Sequence, residues 1–94
     1  MSAPTEADWS PKAELDRLRD EIVDVDRAIV GLIAQRVELA RRVGPLKRAV
    51  GMPTLDPPRE AAIVRRAGAL AREAGLAEDD VRYIWWHLVA PSWG

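Results

Sequence analysis

The sequence predicts an all-α fold made of one long helix followed by two shorter helices. Apolar residues recur at alternating intervals of three and four across the first half of the chain, which is the helical period. Serine, aspartate, proline and glycine then mark further helix starts and ends. No segment alternates apolar and polar residues in the manner of a strand. At 94 residues the chain has room for one domain.

The first helix is predicted to begin at Ser10-Pro11, with serine as the N-cap and proline at the first helical position. Its apolar seam consists of Leu15, Leu18, Ile22, Val25, Ile29, Leu32, Leu39, Val43, Leu46 and Val50. At 1.5 Å per residue such a helix would be about 60 Å long. A chain of this size cannot cover so long a seam, so we expect it to pack against a second copy or a partner chain. Residues 1–11 are predicted to be a flexible tail, residues 12–94 the helical domain, and Pro45 a kink.

The second helix is predicted to start with Asp56 as its N-cap and Pro57 at its first position. Gly75 is placed to end it in the left-handed conformation, and its apolar face is Ile63, Ala67, Leu70 and Ala74. The acidic run 78–80 suits the first turn of a third helix. That helix carries Val81, Ile84, Trp85, Leu88 and Val89 on one side.

Composition excludes several classes of protein and site. The chain has 14 basic and 15 acidic side chains and no cysteine. Disulfides and thiolate metal sites are therefore excluded, and His87 cannot anchor a zinc site without a suitable array of carboxylates, which is not evident. A net charge of −1 argues against a nucleic-acid protein, and no apolar run suggests a membrane span or a signal peptide. The absence of cysteine fits a cytoplasmic location.

Arg36 interrupts the apolar seam of the first helix. A guanidinium there is costly unless it meets an anion, although an arginine that extends to the surface or fixes the helix register would also fit. Lys47 follows eleven residues later, which is about 16 Å along the helix and only ~20° around it. Both cations therefore point to one side. Arg19 lies ~25 Å from Arg36 and ~100° away, so it could serve the same small site only from a second chain.

The start of the second helix carries three more candidates. Asp56 and Glu60 have a sufficient structural role as N-cap and first-turn acid, whereas a cation in the first turn, Arg59, opposes the helix dipole. A ligand or a carboxylate partner would explain Arg59. Two further groups of residues are expected to have structural roles. The side chains expected on solvated helix faces are those of Arg41, Arg42, Arg65 and Arg66. Those expected to pack against neighbouring residues are Trp85, Trp86 and His87.

Five ordered segments carry a family resemblance: 18–22, Asp26, 32–40, Val43-Gly44 with Lys47, and 56–60. Together they resemble the all-α (AroQ-class) chorismate mutases over roughly residues 12 to 92. The resemblance implies an intertwined helical homodimer with two equivalent sites that rearranges chorismate, a dianion, to prephenate without metal or cofactor. In that family an arginine from one chain completes the site of the other. By position, Arg19 would reach a substrate carboxylate across the dimer, and Arg36 would hold the other carboxylate.

The remaining roles also follow from the resemblance. Lys47 would donate to the ether oxygen and a carboxylate, and Asp56 and Glu60 would lie by the ring hydroxyl. Arg59 would support substrate binding, and Ser92 falls at the position of a family serine near a carboxylate. Lys47, Arg36 and Glu60 are thus the expected catalytic residues. Better-known members place a glutamine about one turn after that serine, beyond the last residue of this sequence, and some short actinobacterial members depend on a DAHP synthase, which is a candidate partner here.

Three alternatives remain open at this point. Two keep the fold and the site: a mutase of 4-amino-4-deoxychorismate and an isochorismate-pyruvate lyase. Asp56 with Arg59-Glu60 fits the mutases better than the lyase. The third alternative is a non-catalytic helical partner protein, for which Arg36→Ala would leave the dimer unchanged or more stable.

Overall fold

The computed structural model describes residues 9–89. Its elements are three helices, α1 (Pro11–Ala49), α2 (Pro57–Glu73) and α3 (Glu78–Val89), with no strand among the described residues. The all-α prediction and the order of one long and two shorter helices are therefore confirmed. The chain divides into two units, Met1–Ala34 and Gln35–Gly94. No helix in the described part of the chain is both long and apolar enough to cross a membrane.

The first unit contains the N-terminal part of α1. Ser10 caps it as predicted, since its Oγ accepts a hydrogen bond of 3.0 Å from the backbone N–H of Ala13. Arg17 pairs with Glu14 and Glu21, one turn away on either side. The hydrogen bond from Arg17 lowers the pKa of the Glu14 carboxyl. The six seam residues of this unit are between 43% and 64% exposed: Leu15, Leu18, Ile22, Val25, Ile29 and Leu32.

In the second unit α1 continues through Pro45 and ends just before Gly51. Gly51 adopts a φ of +73°, and the N–H of Met52 donates to the carbonyl of Lys47 at 2.8 Å. This is the left-handed helix end for which glycine is favoured, because a Cβ would clash in that conformation. The helix therefore ends within a turn of Lys47, at a place set by the local sequence.

The caps of α2 are those predicted from the sequence. Asp56 accepts at Oδ1 from the backbone N–H of Arg59 at 3.1 Å, and proline opens the helix. Gly75, at a φ of +76°, ends the helix, and Leu76 N–H closes the turn onto the carbonyl of Ala71 at 2.8 Å. α2 and α3 then pack against each other, and the buried apolar side chains within residues 9–89 are those of Ala67, Ala71 and Leu88. Of the predicted apolar faces, Leu70 and Ile84 stay more than half exposed in the single chain.

Gly68 of α2 leaves room for the side chain of Arg82 of α3. A Cβ at Gly68 would lie 2.5 Å from Nε and 3.2 Å from Cγ of Arg82, and that Nε is buried with no hydrogen-bond partner in the described structure. Gly68→Ala should lower the free energy of unfolding by about 1 kcal/mol, because crowding outweighs the helix propensity of alanine. In an Arg82→Ala background the same change should raise it by about 1 kcal/mol. Urea unfolding at one protein concentration measures both, and the same sign in both backgrounds would contradict the contact.

Candidate active site

The second unit holds a cavity of about 690 Å³. Its walls come from α1, the loop before α2, the first half of α2 and the end of α3. This volume lies within the range of pockets that bind small molecules. Apolar side chains contribute much of the lining: Val37, Leu39, Ala40, Val43, Leu55, Ile63, Leu88 and Val89. A small ligand with both apolar and charged parts would match such a cavity.

Five of the residues singled out from the sequence line this one cavity: Arg36, Lys47, Asp56, Arg59 and Glu60. They come from two helices and from segments up to 24 residues apart in the chain (Arg36 to Glu60). Arg19 belongs to the first unit, where its side chain is exposed. Ser92 lies outside the described residues. The fold of one chain thus gathers the five described candidates of the second unit around a common space.

Arg36 is partly buried, and its guanidinium lies at the end of α3. One guanidinium N–H donates to the carbonyl oxygen of Leu88 at 3.4 Å. That distance is longer than an ordinary N–H···O bond, and the last carbonyls of a helix carry partial negative charge. The contact orients the guanidinium only loosely and uses one of its five donors. The remaining donors suit a carboxylate ligand, which would bind a guanidinium bidentately.

The acidic residues of the site are held by the first turn of α2. Asp56 is partly buried, and its carboxylate is oriented by the N-cap hydrogen bond to the backbone of Arg59. The N–H of Glu60 donates to the carbonyl of Asp56 at 3.0 Å, which begins the helical ladder. Glu60 is also partly buried. Because the cap is fixed, both carboxylates enter the cavity from a rigid turn.

Cations outnumber carboxylates in the cavity lining by five to two: Arg36, Arg41, Lys47, Arg59 and Arg66 against Asp56 and Glu60. Within residues 9–89, the cations that form ion pairs within 4.0 Å are Lys12, Arg17, Arg27, Arg72 and Arg82, none of which lines the cavity. The cavity cations are therefore left without a carboxylate partner in the described structure. Such a site favours a ligand that carries more than one negative charge.

Two cavity residues, Arg41 and Arg66, were expected from the sequence to lie on solvated faces. Both are exposed, as expected, but both also line the cavity, whereas their neighbours Arg42 and Arg65 do not. A signal existed for Arg66, because it follows Arg59 by seven residues and so falls on nearly the same face of α2. Arg41 is about 140° around α1 from Arg36, so the helical period offered no comparable signal.

The chain is similar to several known proteins. Residues 18–92 match the family described as chorismate mutase type II. The chain is 41% identical over 76 residues to the T-protein of Enterobacter agglomerans, a match that covers 77% of this chain and 20% of that protein. It is 36% identical to the chorismate mutase of Methanocaldococcus jannaschii, over 70% of this chain and 67% of that protein.

A third relative is the 4-amino-4-deoxychorismate mutase of Streptomyces venezuelae, which is 32% identical over 69% of this chain and 63% of that protein. The chain spans about a fifth of the length of the T-proteins that it matches. No solved structure matches the chain.

Proposed function

This chain belongs to the chorismate mutase type II family, and from that membership we propose that it catalyses the [3,3] rearrangement of chorismate to prephenate. The match to the family confirms the resemblance inferred from the sequence. The observation that carries the proposal is the single cavity in which Arg36, Lys47 and Arg59 lie without carboxylate partners in the described structure. A dianion with an apolar ring would complement both the charges and the apolar lining of that cavity.

The rearrangement needs no nucleophile, because one C–O bond breaks as one C–C bond forms within the same molecule. The protein has to hold the folded conformer, in which the two reacting carbons are close together. Arg36 grips one carboxylate bidentately, and its loose contact with the end of α3 leaves its donors available. Binding energy from the carboxylates is thereby used to restrict the flexible enolpyruvyl side chain.

Negative charge develops on the ether oxygen as the C–O bond breaks. Lys47 supplies a compact ammonium for that oxygen, and its partly buried position strengthens the interaction relative to water. Asp56 and Glu60 lie by the ring hydroxyl, and one of these two carboxylates accepts its single hydrogen bond and so orients the ring. Arg59 supports the second carboxylate of the substrate. Every group acts by position and charge, so no side chain changes its covalent state.

We propose that the working form is a homodimer in which Arg19 acts on the site of the other chain. The six exposed seam residues of the first unit support this, because an isolated amphipathic helix is marginally stable in water without a partner for its apolar face. A second copy would cover the seam and bring one Arg19 to each cavity. The dimer would then have two equivalent sites, each completed from both chains.

The 4-amino substrate is the second candidate, since a relative carries that name. Its ammonium lowers the net negative charge of the ligand, whereas the cavity has an excess of three cations over carboxylates. That excess favours chorismate. Initial rates with chorismate, 4-amino-4-deoxychorismate and isochorismate, measured side by side, distinguish these candidate substrates. Faster turnover of the amino compound would make 4-amino-4-deoxychorismate the preferred substrate in place of chorismate.

The test of the proposed function is prephenate formation from chorismate by the purified chain, alone and with a DAHP synthase from the same source. We expect turnover without the DAHP synthase, because one cavity already contains five of the site residues and a second copy of the chain would supply Arg19. Turnover only in the mixture would mean that the partner completes the site. Absence of prephenate formation both by the chain alone and by the chain with the DAHP synthase would reject chorismate as the substrate.

A further inference from the structure

The cavity charges divide into two groups by exposure. The partly buried charges are Arg36, Lys47, Asp56 and Glu60, two cations and two anions, so their sum is zero. The exposed charges that line the cavity are all cations: Arg41, Arg59 and Arg66. The whole positive excess of the cavity is therefore carried by side chains that reach the solvent.

This division separates two tasks. A neutral inner set of charges binds a dianion at short range by directed hydrogen bonds, but it exerts little attraction at a distance. The chain as a whole has a net charge of −1 and so does not attract an anion. Long-range attraction of a dianion therefore depends on the net positive charge near the cavity. Arg59 already has a role beside the substrate in the proposed function. Arg41 and Arg66 have none.

We infer that Arg41 and Arg66 form a capture pair, two exposed cations that draw the dianionic substrate into the cavity without contacting it during the rearrangement. The inference rests on the proposed function for the identity of the dianion. Neither side chain has an ion-pair partner among residues 9–89, so no paired carboxylate neutralises either charge as an anion approaches. Arg66 lies about 10 Å beyond Arg59 along the same face of α2.

The neighbouring arginines provide a matched control. Arg42 follows Arg41 on α1 and Arg65 precedes Arg66 on α2, and both controls are exposed but do not line the cavity. The double variants Arg41→Gln/Arg66→Gln and Arg42→Gln/Arg65→Gln remove the same charge from the same two helices. Any difference between them reports position relative to the cavity and not net charge.

The experiment measures kcat and kcat/KM for chorismate from 10 mM to 0.5 M ionic strength in the unchanged chain and both double variants. The capture pair predicts that Arg41→Gln/Arg66→Gln lowers kcat/KM about tenfold at 10 mM and less than twofold at 0.5 M, because salt screens charges some 10 Å apart. Its kcat should stay within about twofold of the unchanged value, since uniform binding affects kcat/KM alone. The control variant should lose at most about twofold at 10 mM, because its two charges lie outside the cavity lining, and should match the unchanged chain at 0.5 M.

Two results would overturn the inference. Equal loss in both double variants would assign the effect to net charge, and a salt-independent fall in kcat would place these arginines in contact with the reacting substrate. Binding of trans-cyclohexane-1,4-dicarboxylate, a dianion that cannot rearrange, gives a second readout through amide chemical shifts. If the chain has no mutase activity, weaker and salt-dependent dicarboxylate binding by Arg41→Gln/Arg66→Gln alone would support the capture pair while the proposed function fails. Equal dicarboxylate binding by both variants would reject the pair.

Discussion

Arg36→Ala is expected to lower kcat/KM for chorismate about a thousandfold while the chain keeps its fold. The loss follows from the bidentate pair that the guanidinium forms with a substrate carboxylate, because an unpaired carboxylate in a partly apolar cavity costs about 3–5 kcal/mol. The fold should survive because the contact that Arg36 makes in the chain is a single long hydrogen bond to Leu88. Initial rates and circular dichroism melting curves measure the two effects.

Two further variants sharpen this prediction. Arg42→Ala removes a cation from the same helix outside the cavity and should keep full activity. Arg36→Lys keeps the charge but loses the planar pair of donors, so it should recover only part of the lost activity. A helical partner protein without catalysis predicts a different pattern, in which no variant shows turnover and Arg36→Ala leaves the dimer unchanged or more stable. Full activity of Arg36→Ala would reject the proposed carboxylate contact.

The helix bounds could be predicted because the signals for them are local. Ser10 caps α1, Asp56 caps α2, and Gly51 and Gly75 adopt positive φ where α1 and α2 end. Each of these depends on a few neighbouring residues. Burial could not be predicted in the same way, because it depends on what covers a helix face. Leu70, for example, repeats at the helical period but is 55% exposed in the single chain.

The residues of the candidate site also differ in whether a local signal in the sequence pointed to them. Arg36 stood out because a cation in an apolar seam breaks a pattern, and Arg59 because it opposes a helix dipole. Arg66 had a local signal, because it follows Arg59 by seven residues and so falls on nearly the same face of α2. Arg41 had none, since it belongs to a pair of adjacent arginines and lies about 140° around α1 from Arg36. Which of Arg41 and Arg42 lines the cavity depends on how α1, α2 and α3 surround it, and that arrangement is tertiary.

Mixing two inactive variants, Arg19→Ala and Arg36→Ala, is expected to restore activity. If Arg19 acts on the site of the other chain, Arg19→Ala and Arg36→Ala will each be nearly inactive as homodimers. A heterodimer of the two variants has one site that lacks both arginines and one site that has both. Refolding the variants together in equal amounts makes about half of the dimers mixed, so about a quarter of the activity of the unchanged chain should return.

The converse mixture provides the control. The control is the double variant Arg19→Ala/Arg36→Ala, refolded with an equal amount of the unchanged chain. In every mixed dimer one site then lacks Arg36 and the other lacks Arg19, so both sites are inactive. Activity should then fall to about a quarter of that of an equal total amount of unchanged chain, and not to the half expected from dilution. If Arg19 served its own chain, the first mixture would stay inactive and the second would keep half of the activity. The two mixtures therefore distinguish a site shared between chains from one built within a single chain, because each arrangement predicts a different activity in both.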